Sequence, residues 1–285
     1  MIKHSIKKVI NNFGYEIIKN DSSISTELLN NYSYPEALYF RSKNFAFYCD
    51  IDICMNLLQF SFSPSGWHPF VAFLKKNNIS ILEEYFEKYS PRSLEELFFE
   101  GNTINKYPQI IDDRYLQIAP RNYVMPWFYK KQSPNERKLG LHIGPPQIDE
   151  RDLALYKNKK EYYTKNKINI HGRHLKDIYE SIRINGYNPV NDIKGYFLRD
   201  GDKFRFLVLE GEHRAAALSI LGYKKVRVTF SQNIPRVIDY KDINYFSQVV
   251  RNEICHDTAK LIFKRYFTQD GKEKAQNIGI SSKYL

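Results

Sequence analysis

Apolar residues change their spacing several times along this chain, and each change marks an element. Ile2, Ile6, Val9, Ile10 and Phe13 recur at helical intervals, Lys3, Lys7, Lys8, Asn11 and Asn12 lie between them, and Gly14 closes the run. That pattern predicts a short basic amphipathic helix. From Ala37 to Phe62 aromatic and β-branched residues dominate; Phe45-Ala46-Phe47-Tyr48 predicts a strand and Ser63-Pro64-Ser65-Gly66 a turn. Helical patterns cover 69–76 and 79–89, and Ser93 with Glu96 has capping-box spacing for a further helix. Pro108, Pro120, Pro126 and Pro134 then interrupt regular structure, while Arg121, Tyr123, Trp127 and Tyr129 crowd together. Two readings of this connector stand open: Trp127 or Tyr123 stacks on a base, or the rings glue two domains together.

The second half is more regular. The Lys/Asn-rich stretch 156–169 reads as a solvated loop or helix face. Leu175, Ile178, Tyr179 and Ile182 predict a short helix stopped at Asn185-Gly186. Residues 195–199 and 204–209 predict two strands joined by a hairpin turn at Asp200-Gly201-Asp202. Gly211 breaks the second strand. Arg214-Ala215-Ala216-Ala217-Leu218-Ser219-Ile220-Leu221 is a strong helix former stopped by Gly222, and a strand begins at Lys225. A strand, a glycine turn and a helix start bring unpaired amides and the positive end of the helix dipole to one point, which suits a phosphate. Arg214 adds a fork-shaped cation there.

Composition narrows the setting. The 285 residues, 42% hydrophobic and 26% charged, fit an ordinary globular chain able to bury a core without staples. No apolar run approaches the roughly 18 residues of a membrane span, and the basic start lacks the apolar block of a secretory signal, so the expected location is cytoplasmic. Weak contact of residues 2–13 with an anionic membrane surface stands beside the plainer reading, a helix packed on its own domain. Cys49, Cys54 and Cys255 have neither disulfide-framework nor zinc spacing. The net charge of +11 favours anionic partners without choosing among nucleotides, nucleic acid, phosphosugars and lipid.

The order helix, hairpin, Glu210-Gly211-Glu212-His213-Arg214, alanine-rich helix, Leu221-Gly222 and closing strand resembles the ParB/sulfiredoxin superfamily over about a third of the chain. The resemblance implies an α/β (α+β) fold: a ParB/sulfiredoxin-like nucleotide-binding domain over 136–232, after a mixed N-terminal domain over 1–135 and before a helical C-terminal extension over 233–285. Family members bind CTP or ATP at this box, so Gly211, His213 and Arg214 are expected to meet the phosphates. Sulfiredoxins carry a cysteine where this chain has Glu212, which argues against reductase chemistry. ParB proteins continue into a helix-turn-helix, whereas 240–250 and 257–267 here read as two packed helices.

A third branch resembles free serine kinase, in which an acidic residue before the box glycine serves as base. Glu210 stands at that place, and Glu212 would help hold Mg²⁺; both glutamates being merely solvated is the plain alternative. Asp149 and Glu150 are candidates for a further acidic residue of that kinase. The layout is also similar to ParB-like proteins encoded among bacterial surface-polysaccharide genes, with His68-Pro69-Phe70 and Gly144-Pro145 segments. The expectation is an ATP- or CTP-dependent phosphotransferase or NTPase acting on a small hydroxylated molecule, with a nucleotide-gated DNA- or protein-binding switch as second choice.

Overall fold

The computed structural model of the chain describes residues 27–29, 34–40, 45–89, 91–101, 114–117, 125–128, 165–187, 192–232 and 234–285. The 2–13 helix, Arg121, Tyr123, Tyr129, Gly144-Pro145, Asp149 and Glu150 lie outside them. Among the described residues seven strands form one mixed sheet: β1 (Glu27–Leu29), β2 (Phe45–Asp50), β3 (Cys54–Asn56), β4 (Ile193–Asp200), β5 (Lys203–Glu210), β6 (Lys225–Phe230) and β7 (Val237–Asp239). Their order is β1-β2-β6-β4-β5-β3, with β7 also paired to β4. The expected hairpin is β4–β5, antiparallel with Phe197 opposite Phe206. β6 runs parallel to β4 along residues 193–195 and β7 along 197–199, so the two share one edge of β4. β2 pairs antiparallel with β6, and β3 parallel with β5. Strands from all three expected regions therefore meet in one sheet, over one continuous apolar core.

Alternation along the strands explains the two faces of that sheet. Phe47, Phe197, Phe206 and Phe230 meet on one face, the Phe47 and Phe230 rings 4.9 Å apart and those of Phe197 and Phe206 5.1 Å apart. Tyr196 points the other way and accepts a hydrogen bond from Trp127 Nε1 at 3.2 Å. Trp127 is buried and packs against Phe246, Phe263 and Tyr266. Its stacking on a ligand base is thereby ruled out, because the ring is enclosed by the core and its N–H is already used.

The helices are α1 (Tyr34–Ala37), α2 (Pro69–Lys76), α3 (Ser80–Lys88), α4 (Leu94–Phe99), α5 (Lys165–Asn185), α6 (Glu212–Ile220), α7 (Ser247–Val250), α8 (His256–Thr268) and α9 (Lys272–Asn277). Helix α5 starts well before the periodic apolar run, because in its first turns only Ile168 and Gly172 turn inward and leave no amphipathic signal. A Cβ on Gly172 would stand 2.7 Å from Ile79 Cδ1 and 3.3 Å from Phe73 Cζ; the missing side chain lets α5 lie close against α2 and α3. At α4 the Ser93 hydroxyl accepts the Glu96 amide at 3.2 Å, while the Glu96 carboxylate takes the Arg92 amide at 2.7 Å rather than that of Ser93. The helix expected over 240–250 is a 3₁₀ turn, Tyr240–Tyr245, followed by α7. Among the described residues no helix is long and apolar enough to cross a membrane.

A buried ion cluster fastens α8 and α9 to the end of α4. Arg265 Nη2 lies 3.0 Å from both carboxylate oxygens of Glu100, and Lys274 Nζ lies 3.5 Å from the same carboxylate. The ammonium also donates to the Leu97 carbonyl at 2.5 Å and stands over the rings of Phe60 and Tyr89. Burial is the main influence on Lys274 and outweighs Glu100, with Arg265 adding repulsion, so its pKa falls to about 7. In the unfolded chain the ammonium titrates near ~10.4. Between those values the unfolded chain binds more protons, so stability must rise with pH there. Urea midpoints measured from pH 7 to 10 are expected to show this rise, and Lys274→Met to flatten it; an unchanged slope in the variant would contradict the assignment.

Candidate functional site at the start of helix α6

Strand β5 ends at Glu210, and the chain turns into α6 through Gly211, whose φ of +97° an L side chain adopts only under strain. A Cβ there would also stand 3.0 Å from Arg214 Nη2 and 3.1 Å from Ile193 Cγ1. No side chain caps α6, and its first backbone bond runs from the Ala215 amide to the Gly211 carbonyl at 2.9 Å. The amides of Glu212, His213 and Arg214 consequently have no intrahelical acceptor, and the helix dipole adds positive potential where they point. Ser219, further along α6, donates to the Phe62 carbonyl at 2.6 Å and ties the helix to the segment before α2.

The three side chains of this first turn diverge. Arg214 folds back over Gly211 toward the sheet, where it acts electrostatically on Tyr187 and Asp192. Asp192 is buried and pairs with Arg227 at 2.7 Å. Burial raises the Asp192 pKa, against the pull of Arg227 and Arg214. The Tyr187 hydroxyl is buried without a hydrogen-bond partner, and burial pushes its pKa up to about 12. An unpaired buried hydroxyl is costly, so a polar ligand group arriving there would be stabilised.

Glu212 and His213 face α2, α3 and α5 instead. Glu212 Oε2 lies 3.7 Å from Nε2 of His68, the buried N-cap residue of α2. His68 Nδ1 accepts the Phe70 amide at 3.2 Å, and Nε2 is the ring nitrogen nearer Glu212. Asn56 Nδ2 stands 3.2 Å from that nitrogen, its Oδ1 being committed to the amides of Leu58 and Phe60. The ring stacks on Phe62 at 4.3 Å. A second proton would break the cap and place a charge in the core; burial accordingly holds the His68 pKa below its usual value despite Glu212.

His213 Nε2 meets His171 Nε2 at 3.1 Å, and the His174 ring, one turn further along α5, is centred 5.3 Å from that of His213. Phe70 packs against both members of the pair, 5.0 and 5.1 Å between centroids. Burial, then His171 and His174, push the His213 pKa down to about 3; burial and His174 also lower that of His171. Both imidazoles are therefore neutral at ordinary pH, one donating to the other.

Of the expected site residues, Gly211, Glu212, His213 and Arg214 surround the start of α6, while Glu210 faces solvent and pairs with Lys194 at 2.8 Å. The sequence reading did not assign His171, His174, Tyr187, Asp192 or Arg227 to the site, and gave His68 no role. One signal was available: His68 before Pro69 is an N-cap followed by proline at the first helical position. The others reach the site through long-range pairing. Among the described residues no three His, Cys, Asp or Glu side chains stand as a ready metal-ligand set. No family model, curated protein or solved structure matches this chain.

Removing the His68 ring takes away a cap and leaves a cavity, so His68→Ala is expected to lower the unfolding free energy by about 2–4 kcal/mol. Asn caps helices well, so His68→Asn should recover about 1 kcal/mol of that loss. Urea unfolding of the three proteins checks both; equal losses in the two variants would show that the cap contributes nothing.

Proposed function

We propose that this chain is a nucleotide-binding protein, and that it seats the phosphates of ATP or CTP at the start of α6 and transfers a phosphoryl group to a small hydroxylated molecule. The observation that carries the reading is the uncapped first turn of α6, with Arg214 folded over its glycine and the unpartnered Tyr187 hydroxyl beside it. Backbone amides, a helix dipole and a guanidinium at one point are what a polyphosphate needs. His213, neutral, would contribute a hydrogen bond rather than a charge.

Phosphoryl transfer asks the protein mostly for positioning and charge stabilisation, with a carboxylate near the attacking hydroxyl. The environment favours Glu212 over Glu210 as that base. Glu210 is exposed and its carboxylate is engaged by the Lys194 ammonium at 2.8 Å. The Glu212 carboxylate is more enclosed, 23% exposed against 59%, and is backed by His68. In the proposed step the acceptor hydroxyl gives its proton to Glu212, its oxygen bonds to the terminal phosphorus, and the nucleoside diphosphate leaves with Mg²⁺ on its phosphates. The second choice, a nucleotide-gated DNA reader, finds less support, because α8 and α9 are fastened into the core through Glu100.

Calorimetric titration with ATP, CTP, GTP and UTP in Mg²⁺ tests the reading. Binding of ATP or CTP is expected, weakened about tenfold or more in Arg214→Ala, since charge-assisted hydrogen bonds contribute about 1.5–3 kcal/mol. Glu212→Gln should keep affinity and lose turnover, whereas Glu210→Gln keeps both. Absence of binding to all four nucleotides would overturn the proposal.

A further inference from the structure

Four of the chain's seven histidines, His68, His171, His174 and His213, gather around Phe70 and the start of α6, although they come from three distant parts of the sequence. Histidines scattered for packing alone have no reason to converge. Two of them, His171 and His213, turn the same ring nitrogen toward each other at 3.1 Å. Nitrogens bound to one tetrahedral zinc ion, each about 2.0–2.1 Å away, lie roughly 3.4 Å apart. The pair is thus within a few tenths of an ångström of ligand spacing.

We propose that His171 and His213 are two ligands of a divalent transition-metal site, completed by His174 and by an open position for solvent or a substrate oxygen. His171 and His174 are three residues apart on α5, so they share a helix face. His174 is exposed, and its ring already lies against that of His213, 5.3 Å between centroids, where it can turn to become the third donor. As they stand, the two nitrogens are in place and the third is not, in keeping with the absence of a complete ligand set among the described residues. Phe70 and Phe86 wall the inner side, which leaves the His174 side as the path of access.

The plain alternative is a hydrogen bond between two neutral imidazoles and nothing more. It accounts for one contact, but not for His174 on the same face or for Glu212 beside the pair. The donor types decide the metal: imidazole nitrogen suits zinc, iron, nickel or copper, whereas magnesium prefers carboxylate, water and phosphate oxygens. This site is therefore separate from the Mg²⁺ that accompanies a nucleotide. Glu212 is not among its ligands. A metal here would lie beside the first turn of α6 and present its open position toward whatever binds there.

The test needs no nucleotide, so its result is independent of the nucleotide reading. The full chain, stripped with a chelator, is incubated with Zn²⁺, desalted and assayed for retained metal; Co²⁺ substitution then reports coordination through its visible absorption. A single retained equivalent is expected, undisplaced by excess Mg²⁺, lost in His171→Ala and His213→Ala, weakened about tenfold or more in His174→Ala, and unchanged in His256→Ala. His174 is exposed, so its variant decides the matter even if the other two fail to fold. No retained zinc, or retention untouched by His174→Ala, would overturn the proposal.

Discussion

Helix α6 begins on Gly211 with no side chain satisfying its first amides, and its neighbours hold that end in one place. Behind it, Ser219 bonds the Phe62 carbonyl, and the Phe62 ring stacks on His68. His68 in turn caps α2 and faces Glu212 in the first turn of α6. Helices α2 and α6 are therefore positioned by one chain of contacts whose two ends are helix starts. Close approach of α5 at Gly172 brings His171 and His174 up to the same turn. If the α6 start moved, the Glu212 contact and the histidine pair would be lost together.

The charges around this point are sorted by direction. Cations lie on the sheet side, Arg214 and Arg227, with Asp192 balancing Arg227 and the Tyr187 hydroxyl left unpaired. On the helix side stand imidazoles that burial keeps neutral, with the Glu212 side chain beside them. A polyanion would meet the cationic side and the free amides, while proton transfer and metal chemistry would fall on the other. That division follows from three successive residues, Glu212, His213 and Arg214, leaving a helix about 100° apart.

Much of 193–230 was legible in the sequence because its signals are local. Alternation marks β5, Asp200-Gly201-Asp202 marks the turn, and the alanine run marks α6. The pairing of β2 with β6 and of β3 with β5 left no comparable trace, since partner strands are separated by about 150 residues or more and any apolar strand suits either edge. The site divides in the same way. Gly211, Glu212, His213 and Arg214 are contiguous and could be named as a box, whereas His171, His174, Tyr187, Asp192 and Arg227 join it only through packing. Nothing local marks Lys274: it sits in an ordinary charged stretch, yet its ammonium is buried between Glu100 and two aromatic rings.

The most direct measurement is the backbone amide NMR spectrum of Glu212, His213 and Arg214 during addition of Mg²⁺ with ATP or CTP. A phosphate seated on the start of α6 accepts hydrogen bonds from these N–H groups, so they should move farthest downfield and become slower to exchange with solvent. If the nucleotide shifts amides elsewhere and leaves these three untouched, the helix start is not the phosphate seat and the account fails at its centre.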